Sequence, residues 1–197
     1  MNTRALRSLA RSALNHVERT LHPGRRRRAA ERLRRTRPRR ILFVCLGNIC
    51  RSPIAGHLLD RADVGVAVGS SGFIGPDRAP PPEALRAATH LGIDHASHRS
   101  RLTTVAMLAD AEAIFVFDAG NQRRVLDLEP GAGPRMFWLG DFDPDMPDRR
   151  MIRDPWGRTP EDFVDTFVRI DRCVTHVAQL LREAFDADET GRLPPAQ

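Results

Sequence analysis

Apolar positions along the chain alternate between two spacings. Ile41–Val44 and Ala113–Phe117 are short continuous apolar runs, as strands buried on both faces require. Val64–Val68 and Arg135–Leu139 read as two weaker strands. Between and after them come stretches with helical spacing at Pro53–Ala62, Glu83–Leu91 and Asn121–Leu128; Gly92 stops the second, and Pro130-Gly131 the third. The longest, Glu161–Phe185, carries Phe163, Phe167, Ile170, Val174, Val177 and Leu181 as one apolar stripe. Ser71–Pro82 reads as a Gly/Pro-rich loop and Asp141–Gly157 as an acidic, proline-bearing one. Alternation of strand and helix predicts an α/β fold. We expect a single doubly wound domain, with a central four-stranded parallel sheet flanked by helices and ligands at the C-terminal ends of its strands.

The first 40 residues break this pattern. Leu6, Leu9, Ala10, Ala13, Leu14, Val17 and Leu21 recur at helical spacing among arginines, and His22-Pro23-Gly24 ends the stretch. A second basic stretch, opening with Arg25 to Arg28, continues to Arg40. Charge divides at the same place. Residues 1–40 hold fourteen Arg against two Glu, a net +12, and the other 157 residues hold seventeen Arg against 23 acids, a net −6. The expected organisation is an Arg-rich extension over 1–40, partly helical or disordered, a domain over 41–186 and a disordered tail over 187–197. The extension lacks the apolar run and small-residue cleavage site of a secretory signal, although an Arg-rich, acid-poor start also resembles a transit peptide. Its charge suits an anionic membrane surface or an acidic partner; without interleaved aromatics it is a weak nucleic-acid arm. No run approaches the length of a membrane span. The expected location is the cytoplasm, peripheral at the inner membrane surface where the extension engages lipid. All 31 basic residues are Arg and there is no Tyr, which excludes lysyl and tyrosyl nucleophiles. Three Cys in 197 residues do not make a disulfide scaffold.

The chemistry concentrates where the first strand ends. Ile41–Val44 runs into Cys45-Leu46-Gly47-Asn48-Ile49-Cys50-Arg51-Ser52-Pro53. Ser52-Pro53 reads as the opening of a helix, with Ser as N-cap and Pro at the first turn. The intervening loop must curl with its amides inward, beside a helix N-terminus. That makes an anion nest from the backbone of Leu46, Gly47, Asn48, Ile49, Cys50 and Arg51. Gly47 and Asn48 are residue types that tolerate the dihedrals of such a curl. A field that holds a phosphate dianion also stabilises a thiolate at Cys45, and the Arg51 guanidinium can grip two phosphoryl oxygens.

The string Val-Cys-Leu-Gly-Asn-Ile-Cys-Arg-Ser-Pro-Ile-Ala resembles the phosphate loop of the low-molecular-weight protein tyrosine phosphatases. The likeness extends through Ser70-Ser71-Gly72, Gly92-Ile93-Asp94 with Ser97–Arg101, Phe117–Asn121 and Asp154-Pro155-Trp156. The resemblance implies a flavodoxin-like fold and hydrolysis of phosphotyrosine and small aryl phosphates through a phosphocysteine, with no cofactor and no metal. It makes Cys45 the nucleophile, Arg51 the phosphate anchor and Asp154 the general acid. Ser52, Asn48 and Ser70 support the loop, while Ile49, Trp156 and Phe73 (with Ile74) wall the substrate pocket. Separately from the resemblance, Cys50 lies in the same loop as Cys45, so the two sulfurs can approach and Cys50 is expected to be its redox partner. Partners would be phosphotyrosine proteins, among them a bacterial tyrosine kinase of polysaccharide export. Asp143-Pro144 competes for the acid role, and Asp154 is preferred for its place before the last helix. The family's His before the Gly92 position is Leu91 here, so that contact to the loop is not expected.

Rival readings fit less of the sequence. Arsenate reduction on this fold needs further redox cysteines, and only Cys173 remains, within the final helix. Arginine phosphatases carry Thr where this chain has Ile49, a residue better suited to an aryl ring. Asp141-Phe142-Asp143 mimics a metal-dependent dehalogenase-type motif without its lysine, and the calcium-loop spacing of Asp141, Asp143 and Asp145 ends on Ile152 instead of Glu. His90, His95 and His98 are too irregularly spaced for a zinc site. An Arg-rich binding protein with a decayed domain would not keep Cys45, Arg51, Ser52 and Asp154 together.

Overall fold

The computed structural model describes residues 23–145 and 149–189. The amphipathic stretch from Leu6 to Leu21 and residues 190–197 of the expected tail lie outside these.

Strands β1 (Arg40–Val44), β2 (Ala67–Ser71), β3 (Ala113–Val116) and β4 (Met136–Trp138) form a parallel sheet in the order β2-β1-β3-β4. The order reverses at β1, so the chain leaves the two central strands toward opposite sides and opens a crevice at their C-terminal ends. Alternation along each strand separates two cores. Phe43, Phe115 and Phe137 lie side by side on one face, with ring centroids 5.1 and 5.5 Å apart. They pack in one buried cluster with residues of helices α2 (Arg51–Arg61), α3 (Pro82–His90) and α6 (Pro160–Glu189). Leu42, Val44, Ile114 and Val116 face the other way, toward Leu108 of α4 (Val105–Asp110) and Val125 of α5 (Ala119–Leu128). The six apolar residues expected on the last helix are all buried, and that helix runs on to Glu189, past the boundary expected at 186.

Helix α4 was not expected, and two other elements differ from expectation for physical reasons. The second strand begins at Ala67 instead of Val64, because Asp63 and Gly65 take positive φ (47° and 69°) and spend the intervening residues on a turn. The shift places Ser70 opposite Phe43 and Ser71 opposite Val44, at the mouth of the crevice. Residues 23–36, expected within a separate extension, form a helix (α1) on the domain. Leu33 of α1 is fully buried in the core, and the Arg32 guanidinium lies 3.9 Å from the centre of the Phe137 ring. Arg34 and Arg37 reach Glu183 (2.7 Å) and Asp188 (2.5 Å) on α6. Ala29 and Ala30 pack beside Leu33 and a guanidinium covers the Phe137 ring, so the apolar face of α1 is small and short among its arginines.

Candidate active site

The loop from Cys45 to Cys50 joins β1 to the N-terminus of α2, at the strand ends where the topology opens the crevice. Asn48 organises it. Its φ of 51° puts the backbone in the left-handed region, where Asn is among the few tolerated residues. Its amide donates to Cys45 Sγ at 3.2 Å, and Nδ2 donates to Ser52 Oγ (2.9 Å) and Ser70 Oγ (3.0 Å). Oδ1 accepts from the Arg101 amide at 2.8 Å, and the carbonyl accepts from His98 Nε2 at 2.6 Å. Asn48 is fully buried, so these bonds fix one loop shape. Gly47 does not take a positive φ; its missing side chain instead leaves room for Ile49 Cγ1, which an added β-carbon would meet at 3.3 Å. Gly72 is needed for close approach, since a β-carbon there would lie 2.7 Å from the Asn48 nitrogen.

Ser52 is not the helix cap that the sequence suggested. Cys50 precedes the helix with no side-chain cap, and Ser52 lies inside its first turn with Oγ 3.1 Å from Cys45 Sγ. The sulfur thus meets a hydroxyl and an amide, both able to donate to a thiolate. Arg51 is 1% exposed. Its Nη1 meets Asp118 at 2.6 Å and the Ile152 carbonyl at 3.0 Å, and its Nη2 meets Asp154 at 2.5 Å. Burial works against its charge, but Cys45, Asp154 and Asp118 outweigh that and raise its affinity for the proton. Asp118 was missed as a site residue. It stands after β3, and its Oδ1 also caps α5 by accepting from the Asn121 amide at 2.8 Å, a capping signature visible in Asp118-x-x-Asn121.

The two Asp-Pro pairs separate. Asp143 is completely buried and bound by Arg169 (2.8 Å) and Arg172 (3.3 Å) of α6. Burial would raise its pKa, but the hydrogen bonds from Arg172 and Arg169 prevail and lower it. Asp154 is part-exposed and lines the pocket above Cys45, together with Ile49, Ile74, Arg78 and Trp156. Phe73, expected as a pocket wall, does not line it. It packs against the cluster of Leu42 and Val44 on the far face, and Ile74 takes the wall.

Cys50 is buried at the end of the loop, where it too lines the pocket; burial first, then neighbouring Cys45, push its thiol above the ordinary range. Cys173 is likewise buried, within α6. His90 is exposed at the end of α3, while His95 stacks on His98 with centroids 4.8 Å apart and meets His57 edge-on at 5.7 Å. Burial, then His98 and His57, hold His95 down at about 4, so it is a neutral ring at pH 7. The loop contact not expected from Leu91 comes from His98, whose bond to a carbonyl leaves no trace in spacing.

Residues 40–187 match the family model described as low molecular weight phosphotyrosine protein phosphatase. The chain belongs to that family. It is an enzyme of the protein-tyrosine-phosphatase class. It is 33% identical over 135 residues to a probable low molecular weight protein-tyrosine-phosphatase, EpsP, of Ralstonia nicotianae, covering 68% of this chain and 90% of the relative. It is 31% identical to the low molecular weight phosphotyrosine protein phosphatase of Sus scrofa, covering 68% of this chain and 89% of the relative. Among solved structures, the YwlE arginine phosphatase of Geobacillus stearothermophilus superposes with a TM-score of 0.67 at 27% identity, covering 81% of this chain and all of that one. Among the described residues, no helix is long and apolar enough to cross a membrane.

Proposed function

We propose that the protein hydrolyses phosphotyrosine in proteins, and small aryl phosphates, by a metal-independent double displacement at Cys45. The observation that carries this reading is that Cys45 and Asp154 line one pocket, where the sulfur already accepts from two donors and the buried Arg51 guanidinium is paired with Asp154. The phosphoryl group docks over Sγ, held by the loop amides from Leu46 to Arg51 and by the Arg51 guanidinium. The thiolate attacks phosphorus as the P–O bond to the ring breaks, and Asp154 gives its proton to the departing phenolate oxygen. Asp154 then takes a proton from water as that water attacks the phosphocysteine. Sulfur leaves as thiolate, with Ser52 Oγ donating to it, and inorganic phosphate is released. Positioning supplies most of the rate, since the transition state is loose. The apolar Ile49 and Ile74 opposite Trp156 suit a flat ring better than a guanidinium, which favours phosphotyrosine over phosphoarginine. The substrates would be cytoplasmic, a tyrosine kinase of polysaccharide export among them.

The test is rapid-quench trapping of phosphate on the protein from a phosphotyrosine peptide in the presence of a chelator. Wild type should form an acid-labile, hydroxide-stable phosphothiol ester. Cys45→Ser should lose turnover by at least about a thousandfold, because its alkoxide does not form at neutral pH, yet still bind inorganic phosphate. Loss of activity with chelator, or faster hydrolysis of phosphoarginine, would overturn the reading.

We also propose that Cys50 protects the nucleophile. Hydrogen peroxide would oxidise the Cys45 thiolate to a sulfenic acid. The Cys50 thiol would then displace its hydroxyl as water, forming a disulfide. After peroxide, dithiothreitol should restore wild type far more fully than Cys50→Ser; equal recovery would reject the idea.

A further inference from the structure

One charged group at the pocket is not used by this chemistry. Arg78 lies in the loop between β2 and α3, and its backbone is pinned on both sides: its amide donates to Ser100 Oγ and its carbonyl accepts from the Ser100 amide, each at 3.0 Å. From there the side chain reaches the phosphate loop, where a β-carbon added to Gly47 would meet Nη1 at 3.5 Å. The guanidinium carbon also lies 5.9 Å from the centre of the Trp156 ring, so the group spans the space between the loop and the opposite wall. Its Nη1 is buried without a hydrogen-bond partner among the described residues. Arg51 differs in having two carboxylates and a carbonyl. The nearest wall carboxylate, Asp154, is already committed to Arg51 and to the Trp156 amide. A buried, charged donor left unmatched is costly, and the cost falls when an incoming acceptor meets it.

We propose that Arg78 is a specificity-determining residue that binds a carboxylate adjoining the phosphotyrosine in the substrate peptide. The inference rests on the phosphotyrosine reading. Once the phosphoryl group occupies the loop and Arg51, and the ring lies between Ile49, Ile74 and Trp156, the peptide backbone emerges at the mouth beside Arg78. A planar guanidinium there can take both oxygens of an Asp or Glu side chain, and its contact with the Trp156 face holds it in place. Substrates with an acidic neighbour are therefore preferred over their amide isosteres, and salt weakens the preference.

The experiment measures kcat/KM on two phosphotyrosine peptides differing only by Asp or Asn beside the phosphorylated residue, for wild type, Arg78→Gln and Arg78→Lys. Wild type should prefer the acidic peptide by about tenfold, the scale of one charged hydrogen bond. Arg78→Gln should bring that ratio close to one, and Arg78→Lys should keep part of it. Taking the ratio of the two peptides within each variant cancels any change in the pocket that slows both alike, and thermal unfolding establishes that each variant is folded. A wild-type ratio near one, or an unchanged ratio in Arg78→Gln, would overturn the proposal. Wild type that hydrolyses a small aryl phosphate but neither peptide would instead overturn the phosphotyrosine reading.

Discussion

Asp143 and Asp154 share a dipeptide, a loop and a pairing with arginine, yet the fold makes them opposites. Asp143 is sealed between Arg169 and Arg172, with its carboxylate committed on both oxygens. Asp154 also has a partner on each oxygen, Arg51 and the Trp156 amide, but it is part-exposed and lines the pocket. Burial between fixed cations turns a carboxylate into structure; partial exposure beside a substrate site leaves it free to exchange a proton. What separates the two is access to water and substrate, which the dipeptide does not encode.

That contrast can be broken from either side. The largest effect should come from Asp143→Asn, which leaves Arg169 and Arg172 partly buried without their counter-charge. We expect a loss of about 3–5 kcal/mol, read by urea unfolding, with turnover per folded molecule nearly unchanged. Its pH dependence has a definite sign. Because the native pKa is lowered, the carboxylate's contribution is complete above the unfolded value of about 4 and is lost as pH falls through the native one. Wild type and Asp143→Asn should therefore converge in stability on acidification; a constant gap would reject this account. Asp154→Asn should leave stability close to wild type but slow phosphotyrosine hydrolysis by about a hundredfold. The smallest effect is expected for the same variant on an aryl phosphate with a strongly acidic phenol, whose leaving oxygen needs no proton. If Asp143→Asn shows this leaving-group dependence instead, the two aspartates have been assigned the wrong way round.

The parts legible in the sequence were those set by local pattern. Ile41–Val44 and Ala113–Phe117 read as buried strands because both of their faces are covered. The string from Cys45 to Ser52 placed the site because its residue types are dictated by one backbone curl. Features that depend on distant partners were not legible. Helix α1 was hidden because its apolar face is only Leu33 with two alanines among arginines, and α4 because six residues with one buried side chain, Leu108, carry no period. Asp118 gave a capping signal but not its pairing with Arg51. His98 and Arg78 act through contacts made by loops crossing the sheet end, which spacing along the chain does not record.

Arg32 has a consequence away from catalysis. A parallel sheet that stops at β4 exposes carbonyls to any passing strand, and an open edge is where sheets of different molecules join. Here Arg32 donates to the carbonyls of Met136 and Pro134 from outside the sheet, in place of a fifth strand. The arginine-rich helix thereby takes up acceptors at the start of β4 with planar donors, and sets a charged group where an approaching strand would have to pair.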